Sequence, residues 1–272
     1  MARGGRRLRV ATWNINSVRL RAPLLAEVAS ALAPDVLCLQ ETKCPDDLFP
    51  HEAAEALGFR HRLTRGMKGY NGVAVLSKRP IEPLPEQPDW CGKGDCRYLG
   101  VAVDVPGEPL ILHDFYVPAG GDIPDPAANP KFAHKLNFVA EATDWTEQNQ
   151  PRRAVLVGDL NIAPLPEDVW SHRELLDVVS HTPVETEGLT RWQQAGGWVD
   201  GVRHFVPPDR KLYTWWSYRA RDWEASDRGR RLDHVWVSDD LAGALHGHAV
   251  LKPARGWQQP SDHVPVMVEL AL

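Results

Sequence analysis

No stretch of this 272-residue chain is apolar for long enough to cross a bilayer, so a helical membrane protein is excluded. Cysteine is scarce. Of the four, Cys38 lies in the apolar run Val36-Leu37-Cys38-Leu39 and reads as a small buried hydrophobe, while Cys91 and Cys96 do not have the spacing of a zinc pair. No Ser or Cys stands in a nucleophile-elbow pattern, which favours direct attack by water over a covalent intermediate. Positive charge is not in excess either. With 31 Lys and Arg against 36 Asp and Glu, the net charge of −5 argues against an indiscriminate nucleic-acid binder. Binding depends on where charges sit, and they cluster here: Arg60, Arg62, Arg65 and Lys68 in one stretch, Arg219, Arg221, Arg228, Arg230 and Arg231 in another. Arg3, Arg6, Arg7 and Arg9 are followed by no apolar signal region. Residues 1–7 therefore read as a short basic tail, and the cytoplasm is the expected compartment.

What is present is enough apolar material for a sizeable core, at 43% hydrophobic and 8% aromatic residues. Strands are expected at Leu8–Ile15, Asp35–Gln40, Gly72–Ser77, Tyr98–Val105, Leu110–Tyr116 and Ala154–Asp159. Four more are expected at Tyr213–Tyr218, Arg231–Val237, His248–Leu251 and Val264–Leu270. Helical spacing appears at Leu24, Leu25, Val28 and Leu32, over Asp46–Leu57, and most clearly over Lys131–Thr146. Shorter helices are expected near Glu174–Val179 and Leu189–Ala195. No low-complexity linker divides the chain, so residues 8–272 are expected to form one domain of two packed sheets flanked by helices.

Several of these apolar runs end on polar residues that a turn alone would not need. "VLVGDLN" closes a buried strand with Asp159 and Asn161, and a buried unpaired carboxylate is costly enough to need a partner. "WNIN" places Asn14, "LQETK" places Gln40, Glu41 and Lys43, "RLDHVWV" places Asp233, and "PSDHVPV" places Asp262 and His263. Gathered in one cleft, these types suit a specific chemistry. Glu41 with Asn14 offers hard oxygen ligands fit for Mg²⁺ or Mn²⁺. An Asp–His pair holds an imidazole in one tautomer and stabilises its charged form. Asp159 beside an amide donor can orient or activate water. A hard metal with an activated water fits hydrolysis of a phosphate ester.

The ordered set "WNIN", "LQETK", "FYVPAGG", "GDLNIAP", "RLDHVW" and "PSDHVPV" resembles the exonuclease III family of abasic-site endonucleases, within the endonuclease/exonuclease/phosphatase superfamily. The resemblance runs from about Leu8 to Leu270. It implies a four-layer α/β sandwich, two packed mixed sheets flanked by helices. It also implies Glu41 as principal metal ligand with Asn14 nearby and Asp262 at the metal edge or aiding the leaving group. Tyr116 and Asn161 would contact the scissile phosphate, Asp159 would align or deprotonate water, and His263, oriented by Asp233, would bind a phosphate oxygen. Lys43, Arg97, Tyr70, Asn71, Trp215 and Trp216 would meet nucleic acid, with the two tryptophans walling a sugar pocket. Ala119 stands where some relatives carry an amide side chain, which removes one contact.

The implied activity is Mg²⁺-dependent cleavage of double-stranded DNA 5′ to abasic sites, with 3′→5′ exonuclease or 3′-end-cleaning activity, by a monomer without membrane partners. Two other readings stay open. One is a superfamily phosphodiesterase or phosphatase acting on small phosphoesters or RNA. The other is a non-catalytic DNA-binding module.

Overall fold

A computed structural model describes residues 7–272. The first six residues of the expected basic tail lie outside the described residues. Arg7, expected in that tail, instead opens the first strand and pairs with Glu269 at 2.6 Å.

Among the described residues, twelve strands make two six-stranded sheets. The first sheet runs β11 (Leu245–Val250), β12 (Val266–Ala271), β1 (Arg7–Asn14), β2 (Val36–Gln40), β4 (Val73–Ser77) and β3 (His61–Arg65). The second runs β5 (Ile81–Pro83), β6 (Tyr98–Val103), β7 (Leu110–Tyr116), β8 (Ala154–Asp159), β10 (Asp233–Val237) and β9 (Val199–Asp200). Each is mixed: β1 with β2, and β7 with β8, are parallel, and the remaining pairs are antiparallel.

The helices are α1 (Val18–Arg21), α2 (Leu24–Leu32), α3 (His51–Ala56), α4 (Pro130–Asn149), α5 (His172–Leu175), α6 (Pro183–Ala195) and α7 (Trp223–Ser226). Helix α2 lays Leu25, Val28 and Leu32 on the first sheet, and α3 adds Ala54. Helices α4 and α6 cover the second sheet with Phe138, Val139, Ala142, Leu189 and Trp192. The result is the expected four-layer sandwich. Burying each such aliphatic or aromatic side chain contributes about 1.5–3 kcal/mol, which sets the two sheet faces firmly.

Alternation along the strands decides where the polar residues go. Leu8 and Val10 of β1 face the second sheet, and Ala11 and Trp13 face the helices. By the same parity Thr12 and Asn14 point between the sheets. On β8, Val155 and Val157 face inward, and so does Asp159. On β10, Val235 and Val237 carry Asp233 to the same side. On β7, Leu110 and Leu112 carry Asp114 and Tyr116. The gap between the sheets is thus apolar through most of its length and polar at one end.

Several expectations change. The helix expected over 46–57 is a single 3₁₀ turn at Asp46–Leu48 and then α3, because Pro50 interrupts it. The run Tyr213–Tyr218 is not a strand; Trp215 makes only isolated bridges, to Arg230 and His263. Strand β3 was hidden by its charge: it falls within the first basic cluster, where Arg62 pairs with Glu55 and Arg65 donates to the Tyr98 carbonyl. Helix α6 begins at Pro183, earlier than the apolar spacing indicates, with Thr182 and Glu185 forming a capping box.

Candidate active site

Asp159 ends β8 between Tyr116 of the parallel β7 and Asp233 of the antiparallel β10, its direct register partners on either side. Gly158 makes this ending possible. Its φ is +141°, and a Cβ there would collide with the Phe115 carbonyl of β7. Asn16, Glu41, Lys43 and Asn161, all at strand ends around the same opening, also have positive φ. Non-glycine residues held this way concentrate where surrounding structure fixes a functional loop.

The amide of Asn14 joins two carboxylates, its Nδ2 donating to Glu41 Oε1 and to Asp159 Oδ2 at 2.9 Å each. Its Oδ1 accepts the Asn16 backbone N–H. That pairing fixes the amide orientation, so Asn14 presents nitrogen, not the expected ligand oxygen, to the carboxylates. It acts as a bridge.

Asn161 donates from Nδ2 to Asp159 Oδ2 (3.0 Å) and to the Val117 carbonyl, and its backbone N–H reaches Asp159 Oδ1. Tyr116 donates its hydroxyl to Glu41 Oε1 at 2.8 Å. Opposite them His263 Nδ1 lies 2.8 Å from Asp233 Oδ2, and Nε2 lies 3.7 Å from Asp159 Oδ2. Thr214 donates to the same Asp233 oxygen at 2.6 Å and so fixes the carboxylate that orients the imidazole.

Burial works against charge on His263, but the Asp233 and Asp159 carboxylates outweigh it and lift its pKa to about 10. The ring is therefore an imidazolium at neutral pH, with Nδ1–H on Asp233 and Nε2–H toward the opening. Burial, opposed by the charge on His263, pushes Asp159 above the usual carboxylate range. Glu41 behaves differently. Burial would raise it, yet Lys43, Asn14 and Tyr116 together hold it below the usual carboxylate range. Asp262 is likewise held down, against its burial, by His263, Trp215 and Asn16.

Two places could hold a metal ion. Ligand atoms of Asp159, Asp233 and His263 all lie within 4.8 Å of one another. In this trio, however, His263 Nδ1 is committed to Asp233 and Nε2 faces Asp159, so the three pair with one another. The mouth of the cleft fits better: Glu41 and Asp262 are ionised oxygen donors that line it together. The Lys43 ammonium is held there by Glu41 Oε2 and Asn16 Oδ1, at 2.7 Å each. A carboxylate and an amide oxygen that hold one cation form a hard-donor seat suited to Mg²⁺ with retained waters.

These groups open into a cleft of about 690 Å³ whose lining includes Glu41, Asn161, Trp215, Arg230, Asp262 and His263. Trp215 donates from Nε1 to Asp262 Oδ2 at 2.9 Å, and the guanidinium of Arg230 lies over its ring. Trp216, expected beside it, is 1% exposed and packs with Ala254 and Val264. Adjacent residues in extended backbone point to opposite sides, so only one of the pair reaches the cleft. Asn71 is also turned inward, donating to the Asp95 carbonyl, whereas Tyr70 stands 54% exposed. This loop instead braces the loop after β2: Lys43 N–H bonds the Asn71 carbonyl and Thr42 N–H that of Gly72. Arg97 is clamped by Asp95 at 2.5 Å and stacks on the Tyr116 ring, next to the site. Asn16 was legible, two residues past Asn14 in "WNIN"; Thr214 carries no sequence signal.

The profile described as the Endonuclease/Exonuclease/phosphatase family matches residues 11–263. The chain belongs to this family. It is 27% identical to exodeoxyribonuclease III of Haemophilus influenzae, over 95% of this chain and 98% of that one. It is also 27% identical to recombination repair protein 1 of Drosophila melanogaster, over 96% of this chain and 37% of that longer protein. Among solved structures, an AP endonuclease from Archaeoglobus fulgidus superposes with a TM-score of 0.88 at 28% identity, covering 97% of this chain and all of that one. A 3′ phosphatase from Neisseria bound to a product DNA hairpin superposes with a TM-score of 0.86 at 30% identity, with the same coverage.

Proposed function

We propose that this chain is a DNA repair nuclease that hydrolyses the phosphodiester 5′ to abasic sites in a Mg²⁺-dependent reaction and also trims blocked 3′ ends. The observation that carries this reading is geometric: Asp159, aimed by Asn14 and Asn161, faces His263 Nε2 at 3.7 Å at an opening also lined by Glu41 and Asp262. Its relatives and structural neighbours, named for exonuclease, AP endonuclease and 3′-phosphatase activity, are those expected of such an enzyme.

In the proposed reaction Asp159, aimed by Asn14 and Asn161, takes the proton of a water that attacks phosphorus. The bond from phosphorus to the 3′ oxygen breaks, that oxygen gains a proton from solvent, and a 5′-phosphate remains on the abasic residue. His263 Nε2–H holds a non-bridging oxygen as negative charge builds, whereas Asn161, expected on the phosphate, has both amide hydrogens on Asp159 and the Val117 carbonyl and aims the base instead. Tyr116 keeps Glu41 in place and, with Arg97 on its ring, faces the same phosphate. Mg²⁺ held at Glu41 and Asp262 would neutralise charge on the phosphoryl oxygens. Because Asp262 is held ionised, it suits that seat and not a proton-donating role. Trp215 supplies the apolar wall against which a sugar lacking its base would rest.

The test is a gel assay on a duplex with one central abasic analogue beside an intact duplex, with Mg²⁺ and with EDTA. A single Mg²⁺-dependent cut at the lesion is expected. Laddering from 3′ ends of both duplexes would make the chain mainly an exonuclease. Cleavage of neither duplex, alongside turnover of small phosphoesters, would overturn the reading.

A further inference from the structure

Behind Asn161 lies a buried charge that the reaction itself does not use. Lys135, on α4, is fully buried, and its ammonium meets three groups from three different segments. It donates to the Asn161 carbonyl at 2.7 Å and to the Ala119 carbonyl at 3.3 Å, and pairs with Glu185 Oε1 at 2.5 Å. Glu185 in turn accepts the Ser180 N–H, the Thr182 N–H and the Thr182 hydroxyl. The Lys135 stem passes so close to Gly120 that a Cβ there would lie 2.9 Å from Cδ. One lysine therefore ties together the loop after β7, the loop after β8 and the N-terminus of α6.

The bond to Asn161 matters most. Asn161 has φ +53°, a conformation that a non-glycine residue keeps when its surroundings fix it, and its side chain orients Asp159. From this geometry we infer that Lys135 is a positioning residue for hydrolysis: it fixes the Asn161 carbonyl and thereby the amide that aims Asp159, with Glu185 as its counter-charge. The inference rests on the proposed nuclease reading for its rate measurement. A buried ion pair alone gives little reason for this arrangement, since replacing both partners with apolar residues is often neutral for stability.

That fact provides the test. Lys135→Met alone leaves Glu185 buried and uncompensated, so it loses both stability and rate. In the double variant Lys135→Met/Glu185→Met the uncompensated charge is gone, so thermal stability is expected to recover part of what Lys135→Met loses, short of wild type because Ser180 N–H, Thr182 N–H and the Thr182 hydroxyl lose their acceptor. Single-turnover cleavage of the abasic duplex is expected to stay 10- to 100-fold down, as small misplacements of a catalytic group cost. DNA affinity by anisotropy in EDTA should change less than about twofold, on the scale of one lost non-contacting group. Recovery of rate together with stability would overturn the inference. If the double variant does not fold, Glu185→Gln serves instead. It keeps the Lys135–Asn161 bond, so its rate should fall less than Lys135→Met at equal loss of stability, and an equal fall would overturn the inference. NMR of the Asn161 side-chain amide and carbonyl separates this from failure of the nuclease reading. Both signals should move between wild type and the Lys135 variant even if no duplex is cut, and unmoved signals would refute the placement.

Discussion

On the proposed reading, replacing Asp159 with Asn removes the base and little else. Asp159 accepts three hydrogen bonds, from Asn14 Nδ2, Asn161 Nδ2 and the Asn161 backbone N–H. An Asn in its place can receive the two amide donors on its single oxygen, which sits where Oδ2 was. Its NH₂ then faces the Asn161 backbone N–H, and that one unsatisfied contact costs about 1–3 kcal/mol of stability. Against this, a desolvated carboxylate is removed, so the fold is expected to survive. The rate is another matter. Loss of a positioned general base costs about 10²–10⁴-fold, which corresponds to about 3–5 kcal/mol in the barrier. The amide cannot take the water's proton, and His263, already an imidazolium, cannot replace it. The assay is single-turnover cleavage of an end-labelled duplex with a central abasic analogue, paired with fluorescence anisotropy in EDTA. Cleavage should fall by at least a hundredfold while affinity holds or rises, because a negative charge has left the phosphate site. A variant that keeps a tenth or more of the wild-type rate would refute the water-activating role. So would rate and affinity falling together with the fold intact.

Further outcomes follow from the same geometry. Glu41→Gln should raise the Mg²⁺ concentration for half-maximal activity at least tenfold, an order-of-magnitude expectation from loss of one anionic ligand; an unchanged Mg²⁺ titration would move the ion elsewhere. Trp215→Ala should erode the preference for abasic over intact duplex with modest loss of stability. Trp216→Ala should do the reverse, costing about 3–5 kcal/mol in denaturant unfolding and leaving the preference alone; matched effects would refute the division between cleft and core. Burial pushes His113 and His234 down to about 4 in the folded chain, against about 6.5 when unfolded. Between those values the unfolded chain binds more protons, so the stability each contributes is complete above pH 6.5 and lost as pH falls to 4. Each shift is worth about 3 kcal/mol. Urea midpoints should drop steeply over that window, and His113→Phe should flatten the drop; equal slopes in both proteins would refute it.

The sandwich was legible because parity is a sequence property. Val155, Val157 and Asp159 share one face whatever else the chain does, and so do Val237, Val235 and Asp233. Once the apolar members must face the opposite sheet, the polar members can only meet at its open end, which is why Asp159, Asp233 and Asn14 were found together. What the sequence could not give was anything decided across segments. Trp215 and Trp216 are indistinguishable as letters, and only the bridges of Trp215 to Arg230 and His263 put one in the cleft and the other in the core. Asn14 offers both an oxygen and an NH₂. The Asn16 N–H, arriving where the chain turns at positive φ, selects which end meets the carboxylates and so turns an expected ligand into a bridge. The arginines of the second cluster divide in the same way. Arg231 is consumed by the buried Asp168 and the part-buried Asp200, while its neighbour Arg230 lies on Trp215 at the cleft. Alternation brings the right residues to one edge of the fold, but the partner that reaches each of them from another segment decides its chemistry.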